Sequence, residues 1–359
     1  MIALVRLFFG APEQTPIGEV RRLLVIRTDE RVGNVLLTIP LLRALRRGLP
    51  DARIVFLHAA SKEALVRGLP YVDSLEPFEK KSAFKRPWRL AAQLRRLRRE
   101  RFDVVIEAGH YHAFSLTAAL LAKVVGGGMT IGHDRGAARS FFDVPVPRPA
   151  GVVQDVSVKL HLLDPLGVKD AGTWLETPLA RDPEHRLRIA SLLEARGLAD
   201  ARLLVINPGA RKLDRRWPPA EYASAAKALA ATHGLTPLVI WGPGEEDLAR
   251  EVVGLVGAGA HLAPPTNLAE LTALFRHAAL VLTNDTGPMH LAVAAGARTL
   301  AIFLAGDHRR WGHELPCFEA VPVEGGAPSE DAHRAILLAA ERLLSLQENG
   351  GVERSAHML

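Results

Sequence analysis

Between Val281 and Ala295 the chain reads Val-Leu-Thr-Asn-Asp-Thr-Gly-Pro-Met-His-Leu-Ala-Val-Ala-Ala. Asp285, Thr286, Gly287 and His290 bring a carboxylate, a hydroxyl, exposed backbone amides and an imidazole into six residues of this segment. A short apolar strand, Ala279 to Leu282, leads into the turn, and a small-residue helix, Pro288 to Ala295, follows it. The turn therefore belongs at the carboxyl edge of a sheet, where α/β proteins bind ligands. The amides of Thr286, Gly287 and Met289 are expected to point out of the helix start. Gly287 allows close approach to the backbone, and Pro288 gives up only an amide that has no helical partner. An anion suits such a corner, most naturally a diphosphate. The competing reading is an ordinary turn with Asp285 as N-cap and His290 in the core; the density of functional groups favours a binding site.

Two further loops in the second half lie at the ends of expected strands. Asn207-Pro208-Gly209-Ala210-Arg211-Lys212-Leu213-Asp214-Arg215-Arg216-Trp217-Pro218 places four cations beside a turn, and Trp241-Gly242-Pro243-Gly244-Glu245-Glu246 adds glycines and carboxylates. With Asp285 to Gly287 they outline a nucleotide-diphosphate pocket, with amides and cations for phosphates and a carboxylate for ribose hydroxyls. In the first half, Thr28-Asp29-Glu30-Arg31-Val32-Gly33-Asn34 opens a helix at Val35, and His110 and His112 follow a strand ending at Ala108. Asp29 or Asn34 is either a simple helix cap or part of a reaction centre. The two histidines either shuttle a proton or are solvated.

The elements that must position these groups repeat one grammar. The expected strands of the first half are Arg22–Arg27, Ala52–His58 and Phe102–Ala108. Its helices span Val35–Arg47, Ser61–Arg67, Trp88–Glu100, Ala113–Val124 and Val152–Leu163, with Gly126-Gly127-Gly128 and Pro145–Pro149 as punctuation. Periodicity fades from Gly167 to Pro183. Strands then restart at Leu203–Ile206, Leu235–Trp241, Ala279–Leu282 and Thr299–Leu304, with helices at Glu221–Thr232, Glu245–Val256, Leu268–His277 and Pro288–Ala295. Asn267 and Glu270 have the spacing of a capping box. A last helix, Asp331–Leu346, follows the Gly325-Gly326 turn. The division is an N-terminal domain over 1–170, a second domain over 184–330, a helix over 331–348 and a frayed tail over 349–359. Both domains read as doubly wound α/β sheets that face each other across a cleft.

With 359 residues, 48% hydrophobic and 23% charged, the chain suits a folded protein of two domains. No apolar run is long enough to span a bilayer, and Met1–Phe9, carrying Arg6, makes a poor signal peptide, so the cytoplasm is the expected location. The single cysteine, Cys317, rules out an intramolecular disulfide and a cysteine metal cluster. The net charge of +6 is concentrated between Lys80 and Arg101, where Glu100 is the lone acid and Leu90, Leu94 and Leu97 recur at helical spacing. This basic amphipathic helix is either a solvated face or a surface for anionic lipid head groups or a phosphorylated acceptor. No zinc-finger, helix-turn-helix or stacking pattern accompanies it, so nucleic acid is not an expected partner.

These pieces together resemble glycosyltransferase family 9, the heptosyltransferases of lipopolysaccharide core assembly. The resemblance rests on Ile26-Arg27-Thr28-Asp29-Glu30-Arg31-Val32-Gly33-Asn34-Val35 continuing to Leu45, Asn207-Pro208-Gly209-Ala210 through Arg216-Trp217-Pro218, Trp241-Gly242-Pro243, and Asn284 to Ala292. It implies a GT-B architecture and an inverting, metal-independent transfer from an ADP-sugar donor, without a cofactor, to a lipid-linked or phosphorylated glycan at the inner face of the bacterial membrane. Carried over by position, Thr286 and Gly287 would hold the diphosphate and Arg215 would replace a phosphate-binding lysine. Glu245 or Glu246 would hold ribose, and Asp285 and His290 would line the sugar-diphosphate site. Arg keeps the charge of lysine but not its hydrogen-bond geometry. One position departs from the family: Asn34 stands where Asp serves as the expected general base, and an amide cannot take up a proton. Asp29 or Glu30 in the same loop, or His110, then replaces it, with Asp29 placed first. Otherwise the chain is a non-catalytic nucleotide-sugar binder. A nucleotide-sugar epimerase of similar architecture is the weaker enzymatic rival.

Overall fold

The computed structural model describes residues 18–304, 306–323 and 330–346. Met1–Phe9, the Gly325-Gly326 turn and the tail after Glu348 lie outside them. The chain divides into two compact units, Met1–Pro178 and Leu179–Leu359.

In the first unit the strands are β1 (Arg22–Arg27), β2 (Arg53–Ala59), β3 (Ser74–Phe78), β4 (Phe102–Glu107), β5 (Gly127–His133) and β6 (Val144–Val146). They pair in the order β3-β2-β1-β4-β5-β6, all parallel. Leu23 to Ile26 and Ile54 to Leu57 are almost wholly buried, as runs covered on both faces of a parallel sheet must be. The helices are α1 (Val32–Leu36), α2 (Ile39–Gly48), α3 (Lys80–Lys85), α4 (Pro87–Arg99), α5 (Leu116–Val125) and α6 (Asp155–Leu160).

Four expectations change here. Pro145, read as punctuation, lies inside β6 and pairs with β5. The helix expected over Val35–Arg47 is two helices, because Pro40 occupies the first turn of α2 and restarts the chain at Thr38. Ser61–Arg67 forms a tight 3₁₀ stretch over Ala60–Leu65 instead of an α-helix. Gly127 and Gly128 are not loop punctuation but open β5: a Cβ at Gly128 would stand 2.0 Å from the Asp103 carbonyl oxygen, so only glycine lets this strand lie against β4.

The second unit repeats the plan with β7 (Leu203–Asn207), β8 (Thr236–Val239), β9 (His261–Leu262), β10 (Ala278–Asn284), β11 (Thr299–Phe303) and β12 (Phe318–Pro322), in the order β12-β11-β10-β7-β8-β9. Its helices are α7 (Pro183–Glu194), α8 (Pro219–His233), α9 (Glu246–Val256), α10 (Leu268–His277), α11 (Gly287–Ala294), α12 (His308–Trp311) and α13 (Glu330–Ser345). The capping box at Asn267 forms with both reciprocal bonds. Helix α13 is not an appendage: Ile336, Ala339, Ala340 and Leu343 are fully buried in the same core as Leu204, Leu282 and Leu300.

The segment from Gly167, expected to connect the domains, is anchored to the first unit as far as Pro178. Arg43 on α2, 1% exposed, pairs with Glu176 at 2.7 Å, donates to the Gly172 and Trp174 carbonyls and stacks 3.6 Å over the Trp174 ring. An aperiodic stretch with no regular element is thus held by a buried guanidinium, helped by the Tyr71 hydroxyl on Glu176 and the Thr177 hydroxyl on the Leu65 carbonyl.

Candidate functional site

In each unit the first strand has neighbours on both sides that are reached by crossovers running in opposite directions. The loops that end β7 and β10 flank such a switch point in the second unit, and those that end β1 and β4 flank one in the first. Both sets of suspected residues therefore stand at the carboxyl edge where strand order reverses.

In the second unit, two asparagines lace the loops together. Asn284 donates from Nδ2 to the Pro208 carbonyl at 2.8 Å and accepts the Trp217 amide at 3.2 Å. Asn207 donates to the hydroxyls of Thr283 at 2.9 Å and Thr286 at 3.2 Å. These bonds hold the loops after β7 and β10 in register, a structural task that sequence reading did not assign to either side chain.

Helix α11 begins without a side-chain cap. Thr286 is its N-cap and makes no capping bond, so Asp285 is not the cap of the ordinary-turn reading. Among the described residues the amides of Thr286 and Gly287 donate to no acceptor, whereas the Met289 amide is taken by the Thr286 carbonyl at 3.1 Å. Two free amides, not three, face outward at the positive end of the helix.

Arg215 arrives beside them from the loop after β7. Its Nη1 reaches Asp285 Oδ2 at 2.6 Å, while its Nε and Nη2 donate to nothing among the described residues. Burial pushes the Asp285 carboxyl up, against the pull of Arg215. A Cβ at Gly306 would lie 2.5 Å from Asp285 Oδ2, so the loop after β11 passes close over this carboxylate, which a larger residue there would displace. That loop was missed from sequence, although Gly306-Asp307 follows a strand at the same edge.

The two glutamates separate. Glu245 turns inward: it accepts the Gly242 amide at 3.3 Å, pairs with Arg216 at 3.2 Å and lies where a Cβ on Gly209 would be, 2.1 Å from its Oε2. Glu246 instead pairs with Arg250 along α9, at the protein surface. His290 is buried and its Nδ1 meets His313 Nε2 at 2.9 Å. Burial and the adjacent His290 hold His313 neutral, far below the usual histidine range. His290 is therefore braced by a partner ring 23 residues away, a pairing without a local sequence signal.

In the first unit neither Asp29 nor Asn34 caps α1, whose N-cap is Arg31. Asp29 Oδ1 accepts the Arg31 amide at 2.9 Å. Partial burial works to raise its carboxyl, but Arg27, the Arg31 amide and the Asn34 side chain outweigh this and hold it below the usual carboxylate range. Asn34 is buried, 7% exposed, with its side chain beside the Asp29 carboxylate.

His110 is buried, so it is not a solvated loop histidine, one of its two sequence readings. Its Nδ1 meets Asp155 at 2.8 Å and its Nε2 meets Arg27 at 2.7 Å. Burial, with Arg27 beside it, drives its pKa down to about 3, although Asp155 pulls the other way. Asp155 also binds Lys159 at 2.7 Å, and Glu107 binds Arg135 at 3.1 Å. His110 is a neutral member of a buried ionic chain behind Asp29 and has no nitrogen left to accept a substrate proton. Among the described residues no group of three or more His, Cys, Asp or Glu side chains is placed to hold a metal ion.

Two Rossmann-like units, each with its polar loops gathered at a switch point, have the GT-B fold. The chain belongs to glycosyltransferase family 9, whose profile, described as heptosyltransferase, matches residues 90–325. It is 28% identical over 289 residues to lipopolysaccharide heptosyltransferase 3 of Escherichia coli, an alignment covering 78% of this chain and 82% of that protein. Its fold is similar to that of a family 9 glycosyl transferase from Veillonella parvula, with a TM-score of 0.77 at 21% identity over 91% of this chain and 98% of that one. It is also similar to E. coli heptosyltransferase WaaC solved with ADP-2-deoxy-2-fluoro heptose, with a TM-score of 0.69 at 19% identity over 89% and 99% of the two chains.

Proposed function

We propose that this glycosyltransferase moves a heptose, or a closely related sugar, from an ADP-sugar to a lipopolysaccharide core-type acceptor, with inversion and without a metal. The observation that carries the reading is the uncapped start of α11, where the amides of Thr286 and Gly287 stand open beside Arg215. Amides and a guanidinium fixed before the substrate arrives stabilise the charge that builds on a departing diphosphate. Glu245, turned into the loop cluster, is suited to a ribose hydroxyl, while Glu246 at the surface is not. Asp285 and His290 shape the sugar side.

In the reaction the acceptor oxygen forms a bond to the anomeric carbon as the bond from that carbon to the diphosphate oxygen breaks, and ADP leaves with the electron pair. Asp29 receives the acceptor proton on its carboxylate. Arg27 and the Arg31 amide keep that carboxylate ionised, so the loop contains a base although residue 34 is an asparagine. The names of the relatives support heptose and lipopolysaccharide as the substrate classes, and an acceptor of that kind suits an enzyme working at the cytoplasmic face of the inner membrane. No helix among the described residues is long and apolar enough to cross a membrane. The test is release of ADP from ADP-heptose in the presence of heptose-deficient core acceptors. Failure to bind any ADP-sugar in calorimetry ends the proposal.

A further inference from the structure

Helix α4 carries a second surface that donor binding does not use. Leu97 is buried, and Leu90 and Leu94 pack beside it on the core formed with Leu24, Val105 and Leu121. This settles which side of the helix faces inward. At about 100° per residue, Arg95 and Arg99 fall within about 20° of Trp88, and Leu97 falls diametrically opposite. Trp88 is 65% exposed, the indole of a large amphipathic ring left in water on the face away from the core. Arg95 and Arg99 are exposed along the same line, and Lys81, Lys85 and Arg89 are exposed around its start. No acidic residue occurs from Lys80 to Arg99. The inner residues explain the leucines and Arg96 pairs with Glu76, but among the described residues nothing pairs with the outward Trp88, Arg95 or Arg99.

We propose that this outer face of α3 and α4 docks on an anionic lipid bilayer, with Trp88 seated at the head-group level and the flanking cations paired to lipid phosphates. An indole favours the interface between water and hydrocarbon, and cations clustered beside it add attraction specific to negative lipids. A single exposed aromatic gives shallow, reversible attachment, so the charge supplies most of the affinity and salt weakens it. The inference goes beyond the sugar-transfer reading and does not depend on it.

The experiment is sedimentation of the full chain with vesicles of phosphatidylcholine alone or with added phosphatidylglycerol. Binding is expected only to the anionic vesicles and is expected to fall as salt rises. Each removed cation weakens binding about fivefold, so R95Q/R99Q should lose roughly 25-fold. W88A should weaken binding at constant charge, and the blue shift of tryptophan emission on vesicles should be lost in W88F. Circular dichroism and ADP affinity should remain those of the parent, because these side chains are exposed and lie outside the core on which α4 packs. Equal binding to neutral and anionic vesicles, no binding to either, or an R95Q/R99Q variant that binds like the parent overturns the proposal. Binding to polyphosphate or nucleic acid with no binding to anionic vesicles assigns the face to another polyanion and also overturns it.

Discussion

Substituting Gly209→Ala isolates the role of Glu245 without touching the glutamate itself. The added methyl would stand 2.1 Å from Glu245 Oε2 and 2.5 Å from its Cδ, so the carboxylate must leave its place. Gly209 does not have a positive φ, and alanine fits its backbone. The obstacle is the far end of a flexible side chain, so the fold survives. The displaced bond to Arg216 is half-exposed and contributes about 0–1 kcal/mol, which the smaller entropy of an unfolded alanine offsets by about 0.4–1 kcal/mol. The melting temperature should hardly move. If Glu245 accepts a ribose hydroxyl, losing that charged hydrogen bond costs about 1.5–3 kcal/mol, or about tenfold to a hundredfold in Kd for ADP. Calorimetry on Gly209→Ala, Glu245→Ala and the double variant should give three similar losses, because both changes remove one interaction. ADP binding by Gly209→Ala at parental strength would refute the reasoning, as would losses that add in the double variant.

Asp29→Asn should abolish transfer while leaving ADP affinity unchanged, and in the parent the acid limb of kcat should lie below pH 5, since Asp29 is held under the usual carboxylate range and stays ionised above it; an acid limb near neutrality would assign the base to another group. Asp285→Asn should raise the melting temperature at pH 7 and lower turnover. A buried carboxyl whose folded pKa is raised is ionised at neutral pH at a cost, so the gain is full above its folded pKa and fades as pH falls through it; a melting temperature lowered at pH 7 would contradict this. Arg43→Ala leaves Glu176 buried without its cation and should destabilise the first unit by about 3–5 kcal/mol, read by urea unfolding followed at Trp174. A loss under about 1 kcal/mol would mean that the segment to Pro178 is held by other contacts.

The sequence by itself determined the parallel α/β plan and the strands β1, β2, β4, β7, β8, β10 and β11, because a strand covered on both faces must be an unbroken apolar run and a surface helix must carry its apolar residues at helical spacing; β3, β5, β6, β9 and β12 it did not reveal. It also determined helix Leu268–His277 to the residue, since a capping box is a local bond, and the placement of the polar turns at strand ends. Local pattern had no hold on bonds closed across long separations. Arg215 on Asp285, His290 on His313 and His110 between Arg27 and Asp155 join loops from different strands. Only the tertiary structure could show that Glu245 turns inward while Glu246 faces water, that Gly127-Gly128 begins a strand, and that Arg43 claims a stretch with no periodicity. The reason is physical: periodicity records which face is buried, whereas the partner of a buried polar group is chosen by what the folded sheets bring within about 3 Å of it.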